Sequence, residues 1–194
     1  MAISTPLIFP THTGVRSIEL RATNATAVSS SPFTYNSQAL HWGGEMWSAG
    51  IELPPMRRSD AEIWVAWLVA LRGRFNPFYL GDTSASSIRG TATTVTVTGD
   101  AGDSSLTAVS NGTLLAGDMI QIGAGSDGTL HKVLIDLSGS GTLEVWPAIR
   151  KNRTAEVVTL ASAKGVFRLD SNDVSWSVNE ACIYGISFGA TEAL

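Results

Sequence analysis

The sequence predicts a mainly β protein with one helix: a β-sandwich or barrel domain whose chain is interrupted by a small inserted all-β domain. Three observations predict it. Only one stretch, Ser59–Arg72, has strong helical periodicity, and most of the remainder alternates polar and apolar residues between Gly, Asp and Ser turn signals. From about Thr91 the apolar runs shorten and the turn signals crowd together. Acidity concentrates there too: Thr91–Ala163 holds 4 Lys/Arg against 7 Asp/Glu, net −3, while the remainder holds 9 against 10, net −1. The insert is therefore placed at 91–163 and the parent domain at 1–90 plus 164–194. Exposed loops with neighbouring ends accept such insertions readily.

The first element is a half-buried strand over Val15–Asn24, where apolar and polar residues alternate. A run at Phe33–Trp42 meets Gly43-Gly44 and continues as Glu45–Leu53, which reads as a hairpin with a tight primed turn at the glycines. Trp42 and Trp47 would then pack across the strands near that turn. Pro54-Pro55 ends the second strand, because proline removes ladder donors.

The helix is placed at 59–72. Ser59 and Glu62 have capping-box spacing, and Gly73 follows as a left-handed stop. Ile63, Trp64, Trp67, Leu68 and Leu71 form one apolar stripe that must pack on a sheet. The reverse side carries Val65, Ala66 and Val69, with Glu62 and Arg72 as its clear polar relief. A helix apolar on both sides is covered on both, by a second layer of its own chain or by another subunit. Val65, Ala66 and Val69, with the neighbouring Arg57 and Arg58, are the candidate oligomer interface.

A short strand follows at Pro77–Leu80. The insert should hold strands near Thr91–Thr98, Leu106–Val109, Asp118–Gly123, Leu130–Asp136, Leu143–Pro147 and Glu156–Ala161, making a small barrel or sandwich. The chain closes with Gly165–Leu169 and Ser175–Phe188, the latter long and apolar enough for a central strand.

Composition narrows the function classes. Of 194 residues 44% are hydrophobic and 15% charged, which describes a packed globular chain. A net charge of −4, with basic residues in small groups only, argues against a nucleic-acid-binding surface. Cys182 is the sole cysteine, so an intrachain disulfide is impossible; its apolar neighbours predict an inert core residue. No basic segment precedes an apolar core at the N-terminus, and no run nears the ~18 apolar residues of a membrane span. The expectation is a soluble chain made in a cytoplasm, on which the Asn-x-Thr triplets at Asn24, Asn111 and Asn152 are chance matches.

Several motifs fall short of chemistry. Gly123-Ala-Gly-Ser-Asp-Gly128 fits G-x-G-x-x-G, but a strand-like run follows it where a dinucleotide site needs a helix. Gly185-Ile-Ser-Phe-Gly189 fits the nucleophile elbow, yet His12, His41 and His131 all lie upstream, and Ser187 reads as a strand serine. The histidines lack metal-ligand spacing. Asp100 and Asp103 read as solvated turn carboxylates, and Asp118 as the stabiliser of its own turn. No catalytic, cofactor or metal set assembles, so a non-enzymatic protein is expected.

Phrases spread over most of the chain carry a resemblance. They include Glu-Leu-Pro-Pro-Met at 52–56, Asp-Ala-Glu-Ile-Trp at 60–64 and Asn-Pro-Phe-Tyr-Leu-Gly-Asp at 76–82. Arg89-Gly90, Leu115–Gly123, Leu-His-Lys-Val from 130, Trp-Pro-Ala-Ile-Arg at 146–150 and Lys164–Leu169 fit the same pattern. Together they resemble tail-tip proteins of long-tailed bacteriophages and prophages, most closely a distal tail (minor tail or upper baseplate) protein. The resemblance implies a structural virion protein forming a six-subunit ring that joins the tail tube to the baseplate hub. It implies as partners further copies of the chain, the tube protein and hub proteins, with DNA passing through unbound and no membrane or cofactor involved. It also implies assembly in the host bacterial cytoplasm and a place at the virion tail tip. The alternative is a module that binds host-surface carbohydrate through the insert, although Trp146 is the insert's sole aromatic.

Overall fold

A computed structural model describes residues 4–10, 14–82 and 86–193, and His12 lies outside them. Among the described residues the protein is mainly β with a single α-helix, as its patterning predicts, and it contains a closed six-stranded barrel beside an open sheet. Strands β1 (Ser17–Ser30), β2 (Ser37–Glu52), β3 (Met56–Arg57) and β4 (Phe78–Leu80) come from the first part of the chain, with helix α1 (Arg58–Ala70) between β3 and β4. The middle supplies β5 (Val95–Gly99), β6 (Ser105–Ser110), β7 (Thr113–Leu114), β8 (Met119–Ile122), β9 (Thr129–Val133), β10 (Leu137–Ser138), β11 (Gly141–Trp146) and β12 (Arg153–Thr159). The last part returns with β13 (Gly165–Leu169), β14 (Trp176–Val178) and β15 (Ile183–Glu192).

The open sheet has the order β1-β2-β15-β13-β4, with β14 and β3 flanking the first half of β15. The barrel closes as β11-β6-β5-β12-β8-β9. Its interior is filled by inward residues such as Val97, Leu106, Ile120, Leu143 and Val145. Closure leaves these strands without a free edge. An isolated bridge between Ser87 and Ala161 marks where the chain enters and leaves this unit. Asp118 anchors the entrance, as its carboxylate accepts from the backbone N–H of Arg89, Gly90 and Leu115 and from Arg89 Nε. The Leu115 contact is the turn role that the sequence suggested; the other three bonds are long-range and invisible in it.

The Gly43-Gly44 turn is not formed. β2 runs straight through these residues and pairs with β1 from Glu52 opposite Ser17 to Ser37 opposite Ser30. The glycines form a bulge in which Ala25 stands against Trp42-Gly43-Gly44, between the pairs Asn24–Glu45 and Thr26–His41. Gly43 takes φ +74°, and a Cβ on Gly44 would sit 2.9 Å from that of Ala25. A Gly-Gly pair serves a bulge as well as a turn, so local chemistry alone did not choose. The actual turn is Ser31–Asn36, where the Ser31 carbonyl accepts from Tyr35 N at 2.9 Å and Tyr35 has φ +56°.

The helix also starts differently. Arg57 is its N-cap residue and no side chain caps it, so the Ser59/Glu62 box is absent. β3 pairs Met56 and Arg57 with Tyr184 and Ile183, and this tertiary pairing launches the helix before Ser59 is reached. Glu62 instead accepts from Arg58 Nε at 3.3 Å and from the Tyr184 hydroxyl at 3.5 Å. At the other end Gly73 is left-handed as expected, at φ +63°, and Arg72 before it is left-handed too. Trp64, Trp67, Leu68 and Leu71 face the sheet, where Trp64 and Trp67 join Phe9, Phe78 and Phe188 in one aromatic cluster. Ile63, assigned to that stripe, lies at its exposed edge.

Ser175–Phe188 is a hairpin and not one strand. β14 pairs back on β15 through a turn in which Asn179 Oδ1 accepts from Ile183 N at 2.9 Å. Cys182 sits in that turn with φ +57° and is exposed, so the expected buried cysteine is overturned. Its apolar neighbours belong to the turn and the start of β15, and their pattern did not reveal the reversal.

Candidate functional site

Two surfaces stand out because the chain builds them and does not cover them. The first is the distal half of the β1–β2 hairpin, residues 25–42. β2 pairs with β15 only from Ser48 to Glu52, so the hairpin beyond it is a free two-stranded arm. Its strand and tip residues are exposed from Ala25 to Trp42, apart from a half-buried Ser31. Phe33 is 92% exposed, Tyr35 86% and Trp42 69%, with Val28 and Leu40 also open. Between Arg21 and Glu45 there is no Asp, Glu, Lys or Arg. Soluble proteins ordinarily guard free strand edges with charge, and here both edges of the ribbon lack it.

The second surface is the outer face of α1. Val69 is 57% exposed, Ala66 is exposed, and Ile63 and Phe75 extend the patch. Among the described residues no second layer of the chain lies over this face. Arg57 and Arg58 are exposed at its start, the latter paired with Glu62 at 3.3 Å. Val65 is a correction within the set: it is 8% exposed and packs in the chain's own core. It lies near the edge of the helix's inner arc, and only the sheet's position decides which edge residues are covered. A charged residue at 65 would therefore attack the fold.

The base of the arm is braced by the barrel. Trp47 and Trp146 meet edge-to-face with ring centroids 4.6 Å apart. Trp47 Nε1 donates to the Leu130 carbonyl at 2.8 Å, and Trp146 Nε1 to Asn24 Oδ1 at 2.8 Å. Ala148 N donates to Glu45 Oε2 at 2.7 Å, while Arg150 Nη2 reaches both the Glu45 carbonyl and the buried Glu192 carboxylate. Trp146 thus packs outside the barrel, against the sheet. Trp42 and Trp47, expected as partners beside a turn, are separated by the bulge, one exposed and one buried.

The other singled-out groups are each engaged locally. Gly123–Gly128 is a turn with one 3₁₀ turn at Gly125–Asp127 that leads into β9. Arg150, Lys151 and Arg153 border a cleft of 230 Å³ beside it. Their charge is met within the chain, since Lys151 and Arg153 pair with Asp127 and Arg150 with Glu192. The hydrogen bond from Lys151 is the largest influence holding the Asp127 carboxyl below its usual range. Asp103 Oδ2 accepts from Asp100 N at 2.9 Å, closing their own turn. Ser187 lies within β15. His41 is on the arm, 3.7 Å from Glu45.

His131 is fully buried, between Thr129 Oγ1 and the Pro147 carbonyl, each 2.7 Å away. Burial pushes its pKa down to about 4, which keeps it neutral at ordinary pH. For Asp118, burial alone would raise the carboxyl, and the hydrogen bonds from Arg89, Leu115 and Gly90 outweigh it to hold it low. Among the described residues no three His, Cys, Asp or Glu side chains converge to hold a metal ion. No helix among them is long and apolar enough to cross a membrane.

Sequence reasoning found the outer helix face and missed the arm. The missing signal was available: no formal charge stands between Arg21 and Glu45. No model of a known protein family matches the chain, and no curated protein does.

Proposed function

We propose that the protein is a structural component of a phage tail tip, forming a homohexameric ring that joins the tail tube to the baseplate hub and lets DNA pass. One observation carries this reading: the chain leaves two surfaces with exposed apolar side chains open, the uncharged arm with Phe33, Tyr35 and Trp42 and the outer face of α1 with Ala66 and Val69. Uncharged ribbons of this kind associate or aggregate when left open, so a working protein keeps them covered. The open sheet supports a ring because its edge strand β1 is free for a neighbour, while Leu7 covers the outer edge of β4 and the closed barrel adds mass without adding edges. The net charge of −4 suits a conduit for DNA, since a basic lining would retain phosphate.

The resemblance to distal tail proteins supports the place at the tail tip and the partners; the exposed surfaces support self-association. The test is negative-stain electron microscopy with mass by light scattering, on the chain alone and mixed with tail tube and hub proteins. Six-fold rings with a central opening are expected. A chain that stays monomeric alone and in both mixtures removes the ring reading.

A further inference from the structure

We propose that the arm of one copy docks on the outer face of helix α1 of the next copy, so that the exchange of arms is the contact that joins neighbours. This rests on the ring reading for its geometry, but the contact itself is argued from reach, area and chemistry.

Reach comes first. β2 last touches β15 at the pair Ser48–Thr191, and the strand continues back to Ser37. At roughly 3.3 Å per residue the arm extends about 35 Å past its own sheet. It leaves without covering its own helix face, because residues of both surfaces are exposed in the same chain. A neighbour's helix face is within such a reach.

Area comes second. With roughly 150–250 Å² per aromatic side chain, Phe33, Tyr35 and Trp42 at their observed exposures present about 500 Å². Val28 and Leu40 lie on opposite faces of the ribbon, so one of them adds to a single contact and brings it to about 600 Å², against the roughly 800 Å² per partner that a stable interface buries. An arm of this size is sufficient as one half of a specific contact.

Chemistry selects the acceptor. The arm carries no charge, so it needs an apolar, weakly charged seat. Ile63, Ala66, Val69 and Phe75 make one, with Arg58 and Glu62 already satisfying each other at its margin. The barrel exterior is a poorer seat, because its exposed Val109 and Val157 flank the polar Thr96 in register, and Leu134 and Ile135 lie on the loop after β9. Since donor and acceptor are different surfaces, the contact is head-to-tail. Repetition of a head-to-tail contact closes a ring when the rotation allows it. The brace at Trp47, Trp146 and Arg150 fixes the direction in which the arm leaves, and so fixes that rotation.

The test uses the full chain with Cys182→Ser as background. One protein carries Leu40→Cys in the arm and a second carries Ala66→Cys on the helix. Mixed and mildly oxidised, they are expected to form disulfide-linked pairs, one of each kind. Separately, Trp42→Ser in the native chain is expected to weaken self-association by about tenfold or more, as loss of a buried aromatic anchor does, with an unchanged melting temperature. Crosslinked pairs together with six-fold rings support both the docking and the ring. Crosslinked pairs in assemblies of another symmetry keep the docking and remove the ring. Rings that neither crosslink nor respond to Trp42→Ser overturn the docking and leave the ring standing. Linkage of Leu40→Cys to itself alone shows arm-to-arm pairing and overturns the proposal. A native chain that is monomeric at every concentration overturns it as well.

Discussion

The barrel and the arm are built from the same kind of strand and solve opposite problems. In the barrel six strands close on one another, Leu143 and Val145 face a filled interior, and His131 has a partner on each ring nitrogen. Nothing outside the chain is needed. In the arm two strands satisfy each other along one side, while their outer edges and their rings stay open. A two-stranded ribbon is marginal on its own, so its value lies in what it meets. The difference teaches that composition does not separate a self-sufficient β region from an incomplete one; edge count and charge placement do. Barrel residues should therefore govern stability, and arm residues association.

The sharpest way to break that division runs through helix α1, which carries a covered and an uncovered face. Val65→Glu should cost about 3–5 kcal/mol or unfold the chain, because it buries an unpaired charge, whereas Val69→Glu should leave the denaturation midpoint nearly unchanged. Equal damage from the two, measured in urea, would mean that the helix has no free face.

Next in size is the pH response of the barrel. The folded pKa of His131, about 4, lies below the unfolded value near 6.5, so its contribution is fully present above pH 6.5. It declines as the pH falls from there towards 4, by about 3 kcal/mol in all. Stability measured across this window should fall, and His131→Gln should flatten the curve while lowering its upper plateau. A native curve without that decline would remove the buried neutral histidine from the account.

Asp118→Ala should cost about 2 kcal/mol by stranding the Arg89, Gly90 and Leu115 amides. Hydrogen exchange at these amides should accelerate more than exchange within the arm. The smallest effect belongs to the arm tip. Phe33→Ser should change folding stability by less than about 0.5 kcal/mol, and a calorimetric shift larger than that would show the tip packing against its own chain.

Much of the fold was legible in order and little in its joins. Gly165–Leu169 and the six longer strands of the middle segment were legible as short runs between turn signals, the two-residue β7 and β10 were not, and Gly73 followed from its place after the last apolar turn of the helix. The Gly43-Gly44 reading failed because the glycines permit both a bulge and a turn, and the pairing partner that decides between them, β1, is distant in sequence. Cys182 was misplaced for a related reason. The reversal at Asn179–Ile183 is held by a side-chain bond, in a stretch whose hydrophobicity reads as continuous.

Of the candidate surface, Ala66 and Val69 were legible from helical periodicity, since a helix apolar all round announces a second covering. Val65 was not, because periodicity fixes angles between residues and leaves the sheet's position around the axis open. The sequence by itself determined the strand-rich class, the one helix, its left-handed stop and the absence of charge between Arg21 and Glu45. Only the tertiary structure decided that this uncharged stretch projects as an arm, that Trp146 braces it from the barrel, and that one helix edge is buried and the other open. Local chemistry sets what a segment tolerates. Pairing across long sequence separations sets which tolerated state is occupied.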